Sequence, residues 1–441
     1  MPSIGNKGTP DDSAACAKSP LILNGVTAAE VLEGGADVSE EILLALRTLQ
    51  GRQGDNEDEL SICDRTSITS IRERLPHTLH SWRVPPAAQE QHIARVAEDV
   101  WRPFVSYFKE HGYTFWKREV GCLLSPDVDD NLLAESSLGF GYVTRYRGAG
   151  SAVGAMPNLF DFENLNPLCR AARTTRGLDV VVRVLRVGES GRDHVNILKK
   201  FATGPNALFN DNHNIPVIEF LECEGVVFGV FPKVGFRMSE AYGGWAKNSV
   251  GDVLDMILQC MEALAFLHDN RIAHRDAFKE NFLVQWHPES LLAEHIPRSR
   301  PRVYLIDFEV AVMFPISTPP QECRVSGYPI GGSFSDDIEQ YCRPVPPEVT
   351  SEEPYDPFKL DVWQLGTSLE DFKSTIPEID RILGGMRLPD ATARLSSLYA
   401  VTYLSRAVAE LTPNALMIEP EVDKSRFAHG AGGSDGPRSG P

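Results

Sequence analysis

The stretch Ile272-Ala-His274-Arg275-Asp276-Ala-Phe-Lys-Glu-Asn281-Phe-Leu-Val284 constrains the fold more than any other part of the chain. It follows directly on Val253, Met256, Ile257, Cys260, Met261, Leu264 and Leu267, whose spacing makes one apolar stripe of a helix over 252–268. The stretch itself carries the pattern HRDxxxxN and runs into an apolar strand. Val303-Tyr-Leu-Ile306 forms a second apolar strand that ends in Asp307-Phe308-Glu309, which places Asp307 thirty-one residues after Asp276. Two short motifs, in this order and each in matching helix or strand context, make accident a poor account of them.

Upstream the character is β. Asp179-Val-Val-Val-Arg183-Val-Leu185 is dominated by β-branched residues and follows a Thr-Arg-Gly turn, so it reads as a buried strand. Gly225 to Phe231 reads the same way. Strands first and helices later define an α+β class.

The ends differ from this middle. Residues 1–80 carry 13 acidic and 7 basic residues and no aromatic ring other than histidine, the composition of a mostly disordered arm, with a short helix expected only over Val38 to Leu49 and Asn56-Glu-Asp-Glu59 as a solvated run. Residues 81–155 read as a helical extension: Ile93, Val96, Val100, Phe104, Tyr107 and Phe108 line one face of a helix over 89–108, bent at Pro103. Residues 419–441 are rich in Gly, Ser and Pro and read as a disordered tail.

With 43 basic against 61 acidic residues the net charge is −18. With no basic patch, that field argues against a nucleic-acid partner. Eight cysteines lie scattered without a CxxC pair, against structural zinc or a disulfide framework and for a reducing compartment. No secretory pattern and no apolar run of ~18 residues is present, so the expectation is an intracellular protein, cytoplasmic or nuclear, with no membrane partner.

On these motifs the chain resembles the protein kinase superfamily over roughly 156–418. Val180-Val-Val-Arg183 stands where V-A-I-K would be, Pro346-Pro347-Glu348 where A-P-E closes the activation segment, and Asp361-Val-Trp363-Gln-Leu-Gly366 resembles the opening of a following helix. The wording, including Tyr355-Asp-Pro-Phe-Lys-Leu360, is similar to the divergent kinase-like families numerous in mushroom-forming fungi. The resemblance implies a bilobal fold, with a small β-rich N-lobe over 156–232 and a larger, shortened helical C-lobe over 233–418, holding ATP and Mg²⁺ between them. It implies Asp276 as catalytic base, Arg275 as the residue that pairs with a phosphorylated activation segment, Asn281 and Asp307 as metal ligands, Arg183 at the nucleotide and Asp361 as anchor of the catalytic loop. Phosphoryl transfer needs such a set: a carboxylate for the acceptor proton and oxygen ligands for the metal.

The pattern also departs from the family. Arg183 replaces lysine, and its fork binds differently from a point charge. His194 stands where the partner glutamate would be, with Glu189 and Asp193 as neighbours. Residues 160–170 hold no glycine for a phosphate loop, and Gly139-Phe-Gly141 lies 42 residues before Arg183. Phe278 occupies the position two after Asp276, with Lys279 beside it; Glu309 replaces the glycine after Asp307-Phe308; Glu348 has Arg394 or Arg406 as candidate partners. Ser326, Ser333, Ser335 and Tyr341 are candidate phosphorylation sites. Three functions therefore stay open: transfer of the ATP γ-phosphoryl group to a protein hydroxyl, serine or threonine first; a pseudokinase scaffold; and a small-molecule phosphotransferase of the aminoglycoside or choline kinase type, whose D-F-E motif is similar.

Overall fold

The computed structural model describes residues 22–23, 26–27, 75–84, 88–126, 162–239, 248–285, 302–334, 338–351 and 353–423. The helix expected over Val38 to Leu49, the acidic run at 56–59, Gly139-Phe-Gly141, Ser335 and residues 424–441 lie outside them. The chain divides into two units, Met1–Ser61 and Ile62–Pro441. What is described of the first is one antiparallel pair, Ile22–Leu23 with Val26–Thr27.

In the second unit the described residues begin at Leu75, ahead of the helix expected over 89–108. Leu75, Leu79 and Trp82 are buried at helical spacing, and helix α1 (Leu79–Trp82) is closed by a capping box between Thr78 and Ser81. Helix α2 (Glu90–Trp101) and helix α3 (Val105–Glu110) are joined by a 3₁₀ turn, Arg102–Phe104. Pro103 sits in the first turn of that segment, where a missing N–H costs least. Trp101, Phe104 and Phe108 converge on Phe228 with ring centroids 5.7, 5.0 and 5.1 Å away, and each such pair adds ~0.5–1.5 kcal/mol to plain burial.

The region expected to be purely helical also supplies strands. Strand β1 (Tyr113–Phe115) is followed by β2 (Lys117–Arg118), β3 (Leu123–Ser125) and, beyond residue 161, β4 (Phe162–Glu163), the last three forming a small antiparallel sheet. Then come β5 (Cys169–Thr174), β6 (Asp179–Val187), helix α4 (Arg192–Phe201), β7 (Glu219–Cys223) and β8 (Val226–Pro232). The main sheet is fully antiparallel, in the order β1-β5-β6-β8-β7. Strand β6 is therefore interior, not an edge. Its period of two sends Val180, Val182 and Val184 into the core beneath α1–α3, while Leu185 joins the second core on the other face. Arg183 shares the parity of Leu185.

That second core is mostly helical. Helix α5 (Val250–Asp269) starts at a Ser249/Asp252 capping box and buries the stripe read from the sequence. Helices α6 (Pro357–Ser368), α7 (Pro377–Met386) and α8 (Ser397–Glu410) complete the bundle. Between bundle and sheet run β9 (Phe236–Arg237), β10 (Ile272–Ala273), β11 (Phe282–Gln285), β12 (Arg302–Leu305) and β13 (Val312–Met313), pairing as β9-β11-β12 and β10-β13. The expected tail begins with order: Glu421–Val422 pairs with Phe372–Lys373. The architecture is mixed α+β with a curled antiparallel sheet. No described helix is long and apolar enough to cross a membrane.

Candidate active site

The loop between β10 and β11 makes few backbone hydrogen bonds of its own, and helix α6 supplies them. Asp361, fully buried, accepts from the Arg275 amide through Oδ1 (2.6 Å) and from the His274 amide and His268 Nε2 through Oδ2 (both 2.8 Å). Gln364 accepts from the Ala277 amide at 2.9 Å and donates to the Arg275 carbonyl at 2.8 Å. These bonds hold Arg275 at φ 65°, a conformation that costs a non-glycine residue about 1–3 kcal/mol and is kept only where surroundings impose it. Asn281 Nδ2 donates to both the carbonyl and Oδ2 of Asp276 at 2.7 Å. Burial raises the Asp276 carboxyl to about 7, Arg343 opposing and Asp307 adding to the rise.

Asp307 arrives from the end of β12, in register because the Ile306 amide donates to the Asn281 carbonyl at 2.9 Å. It too is left-handed, with φ 70°. Phe308 turns inward against His274, whose Nε2 donates to the Ile306 carbonyl at 2.9 Å. Burial lowers the His274 pKa, and the ring is neutral with Nδ1 accepting from the Asp276 amide at 3.3 Å.

Arg183 points inward across the gap between sheet and bundle. Its Nη2 donates to Asp307 Oδ1 at 2.7 Å and also to Glu309 Oε1. Burial pulls the guanidinium pKa down, but the two carboxylates outweigh it and raise it above its ordinary value. Glu309, whose side chain is 3% exposed, spends its other oxygen on the Ser333 amide at 2.9 Å and on the Ser333 hydroxyl. Ser333 in turn accepts from Arg83 Nε at 3.0 Å, and its carbonyl accepts from His80 Nδ1 at 3.3 Å. Arg83 also covers the Phe334 ring at 4.1 Å. The end of α1 is thus tied, through the 331–334 segment, to the residue after Phe308. Gly332 lies at φ +60° with Glu309 Cβ 2.9 Å from where its own Cβ would be, so a side chain there has no room.

Other positions singled out in the sequence find these partners. His194 is buried beside Arg183, its pKa lowered to about 3 by burial first and Arg183 second, and Nδ1 has no partner among the described residues. Arg275 donates to the carbonyls of Val310 (3.4 Å) and Tyr328 (3.0 Å). Lys279 turns into the protein and closes on Asp371. Glu348 pairs with Arg394 at 2.7 and 3.3 Å, while Arg406 pairs with Glu410. Ser333 is fully buried and Ser326 exposed. Among the described residues no glycine hairpin lies between β1 and β5; the small β2–β3–β4 sheet stands in part of that connection, packed through Leu124 and Trp116 onto Ala171.

Two site residues escaped the sequence reading. Arg83 lies in what read as the start of a separate extension. Arg343 sits three residues before Pro346 with no motif around it, yet its Nε is 3.6 Å from Asp276 Oδ1.

Among the described residues no cluster of three or more His, Cys, Asp or Glu could hold a metal ion. What remains is an oxygen pair: Asp307 Oδ2 and Asn281 Oδ1 make no hydrogen bond among the described residues. One carboxylate and one amide oxygen suit Mg²⁺, which takes few protein ligands and draws the rest from water and phosphate. They do not suit zinc.

The fold is mixed α+β, and the kinase-like relationship of the chain rests on a comparison with known proteins. Over 232 residues, 53% of its length, the chain is 25% identical to an Aurora kinase of Yarrowia lipolytica, and it spans about half of that relative, 50% of its length. No protein-family model matches.

Proposed function

We propose that the protein is a bilobal protein-kinase-like phosphotransferase that moves the γ-phosphoryl group of ATP to a serine or threonine hydroxyl of a protein. The kinase-like body spans 156–418 together with β1, with the N-lobe around the main sheet and the C-lobe from residue 233. One observation carries the reading: Arg183 reaches from the sheet onto Asp307, on the side of the bundle where Asp276 and Asn281 are already joined.

Asp276 takes the proton of the acceptor hydroxyl as its oxygen bonds the γ-phosphorus; the bond from that phosphorus to the β,γ-bridging oxygen breaks, and ADP leaves. Asn281 holds Asp276 in place and, with Asp307, supplies the oxygens for Mg²⁺. The metal, when bound, offsets phosphate charge. Arg183 positions Asp307 and balances the negative charge of Asp307 and Glu309.

The pseudokinase alternative draws on one specific observation, that Glu309 and Asp307 both engage Arg183 and leave it little freedom to reach a phosphate. Thermal shift with ATP decides between them. A Mg²⁺-dependent rise in midpoint that Asp307→Asn loses, with phosphorylation of a mixed protein substrate that Asp276→Asn loses, is the expected result. A folded wild type with no shift at millimolar ATP overturns the reading.

A further inference from the structure

The charge balance in front of Asp276 carries one inference further, resting on the phosphotransferase reading above. Transfer brings an anionic phosphoryl group up to a carboxylate, and a cation must stand between the like charges. The loop's own cation is spent, because Lys279 is buried against Asp371. Arg183 is spent on Asp307 and Glu309. Arg275 is turned to the backbone of the segment that follows. The position two after Asp276 carries Phe278.

The guanidinium that does face Asp276 is that of Arg343. Its Nε lies 3.6 Å from Asp276 Oδ1, its Nη1 donates to Glu280 Oε2 at 3.2 Å, and its Cζ is 4.8 Å from the Phe278 ring centroid. Two carboxylates and a ring fix the plane of the fork. The side chain is still 34% exposed, and no hydrogen bond of Nη2 occurs among the described residues. A lysine would make such contacts from a single nitrogen, whereas the planar fork spreads its donors over three nitrogens at fixed angles.

We propose that Arg343 is the transfer-site cation, a catalytic residue whose Nη2 binds the phosphoryl group as it passes in front of Asp276. Phe278 is the floor on which the guanidinium rests. The activation segment, not the catalytic loop, thus supplies the charge, and displacing that segment removes it.

The test pairs a binding readout with turnover. With Mg²⁺ present, a non-hydrolysable ATP analogue is expected to raise the wild-type melting midpoint beyond the rise given by ADP. Arg343→Ala loses that increment and keeps the ADP shift. Its kcat falls about 100-fold, the scale of removing one preorganised donor, while KM for ATP moves less than about 3-fold. Arg343→Gln, which keeps a polar side chain over Phe278, guards against a folding artefact and falls as far. Adding Phe278→Lys to Arg343→Ala brings an ammonium to the vacated place and recovers at least about 10-fold of kcat, which a merely structural Arg343 would not allow.

Arg343→Ala and Arg343→Gln that keep both the increment and kcat within about 3-fold of wild type overturn the proposal and leave the phosphotransferase reading standing. An increment that depends on Arg343 in a wild type without turnover leaves Arg343 as a binding residue for the terminal phosphate and overturns both its catalytic role and that reading. A folded wild type that responds to neither nucleotide overturns both.

Discussion

Replacing Arg183 with methionine removes the cation that joins Asp307 to Glu309. The side chains of Arg183, Asp307 and Glu309 are 12%, 16% and 3% exposed, so this is a buried ion triad with little solvent to screen it. Removing one member of a buried pair costs ~3–5 kcal/mol, because the orphaned charge stays behind. Part is returned: Arg183 Nε is already buried without a partner, and losing an unsatisfied donor refunds roughly 1 kcal/mol. The net is about 3 kcal/mol. At ~2.1 cal/mol/K per residue over a described body of roughly 300 residues, unfolding entropy near 0.6 kcal/mol/K turns that into a midpoint about 5 °C lower. Glu309→Gln in the same background returns ~1–2 kcal/mol, since glutamine keeps an acceptor for Ser333 and offers an amide donor to Asp307 in place of the guanidinium. Urea and thermal melts without nucleotide, on wild type, both single variants and the double, close the cycle. An Arg183→Met loss below about 1 kcal/mol, or additive single effects, would show that the three charges do not act as a unit.

Arg394→Met strands the Glu348 carboxylate and frees the carbonyls of Lys359, Leu388 and Pro389, so a loss of ~3–5 kcal/mol in urea melts is expected, against ~1–2 for Glu348→Gln. Asp276→Asn should stabilise the metal-free protein in a pH-dependent way. The folded Asp276 carboxyl titrates at about 7, above its ordinary 3.8, so its contribution to stability is present below about pH 4 and is lost as pH rises to about 7. The unfolding free energy of the variant minus that of wild type, measured by urea melts in chelator, therefore grows over that window and then levels, with an upper bound on the order of 4 kcal/mol. A difference that is flat in pH refutes it. Arg83→Ala removes the outer hold on Ser333, and hydrogen exchange at the Ser333 amide should rise by about tenfold, the equivalent of ~1.4 kcal/mol, with far smaller change in α5.

The elements legible in the sequence are those whose signal is local. The stripe on α5, the valines of β6 and the HRDxxxxN stretch each announce themselves within a window of about a dozen residues, and the structure forms the helix and the strand where the first two put them. Leu75 and Leu79 were not legible, because two leucines in a polar arm carry no pattern until Trp82 closes the turn. The small β2–β3–β4 sheet was hidden for a different reason: strands of two or three residues are fixed by their packing on Ala171, not by propensity. At the site, the chemistry-bearing residues could be named but not their partners. Nothing in the spacing of Arg394 and Arg406 chooses between them, and only the turn that places Arg394 among the carbonyls of Leu388 and Pro389 selects it. Arg343 could not be found, since the side chain it faces is 67 residues upstream.

The same distance effect changes how the departures from the kinase pattern are weighed. Taken singly, Arg183 for lysine and Glu309 for glycine each read as damage, one by geometry and the other by an added negative charge beside a metal ligand. Together they form one closed arrangement, because Arg183 Nη2 donates to both carboxylates and its charge offsets theirs. The added carboxylate then has a second task. Through Ser333 it fixes the 331–334 segment, and through Arg83 that segment fixes the end of α1. The position of Asp307 is therefore linked to elements more than two hundred residues earlier in the chain. Neither exchange alone is an argument against turnover; what bears on it is whether Arg183 can leave Glu309 when an anion competes for it, and that depends on how firmly Ser333 and Arg83 hold the other side.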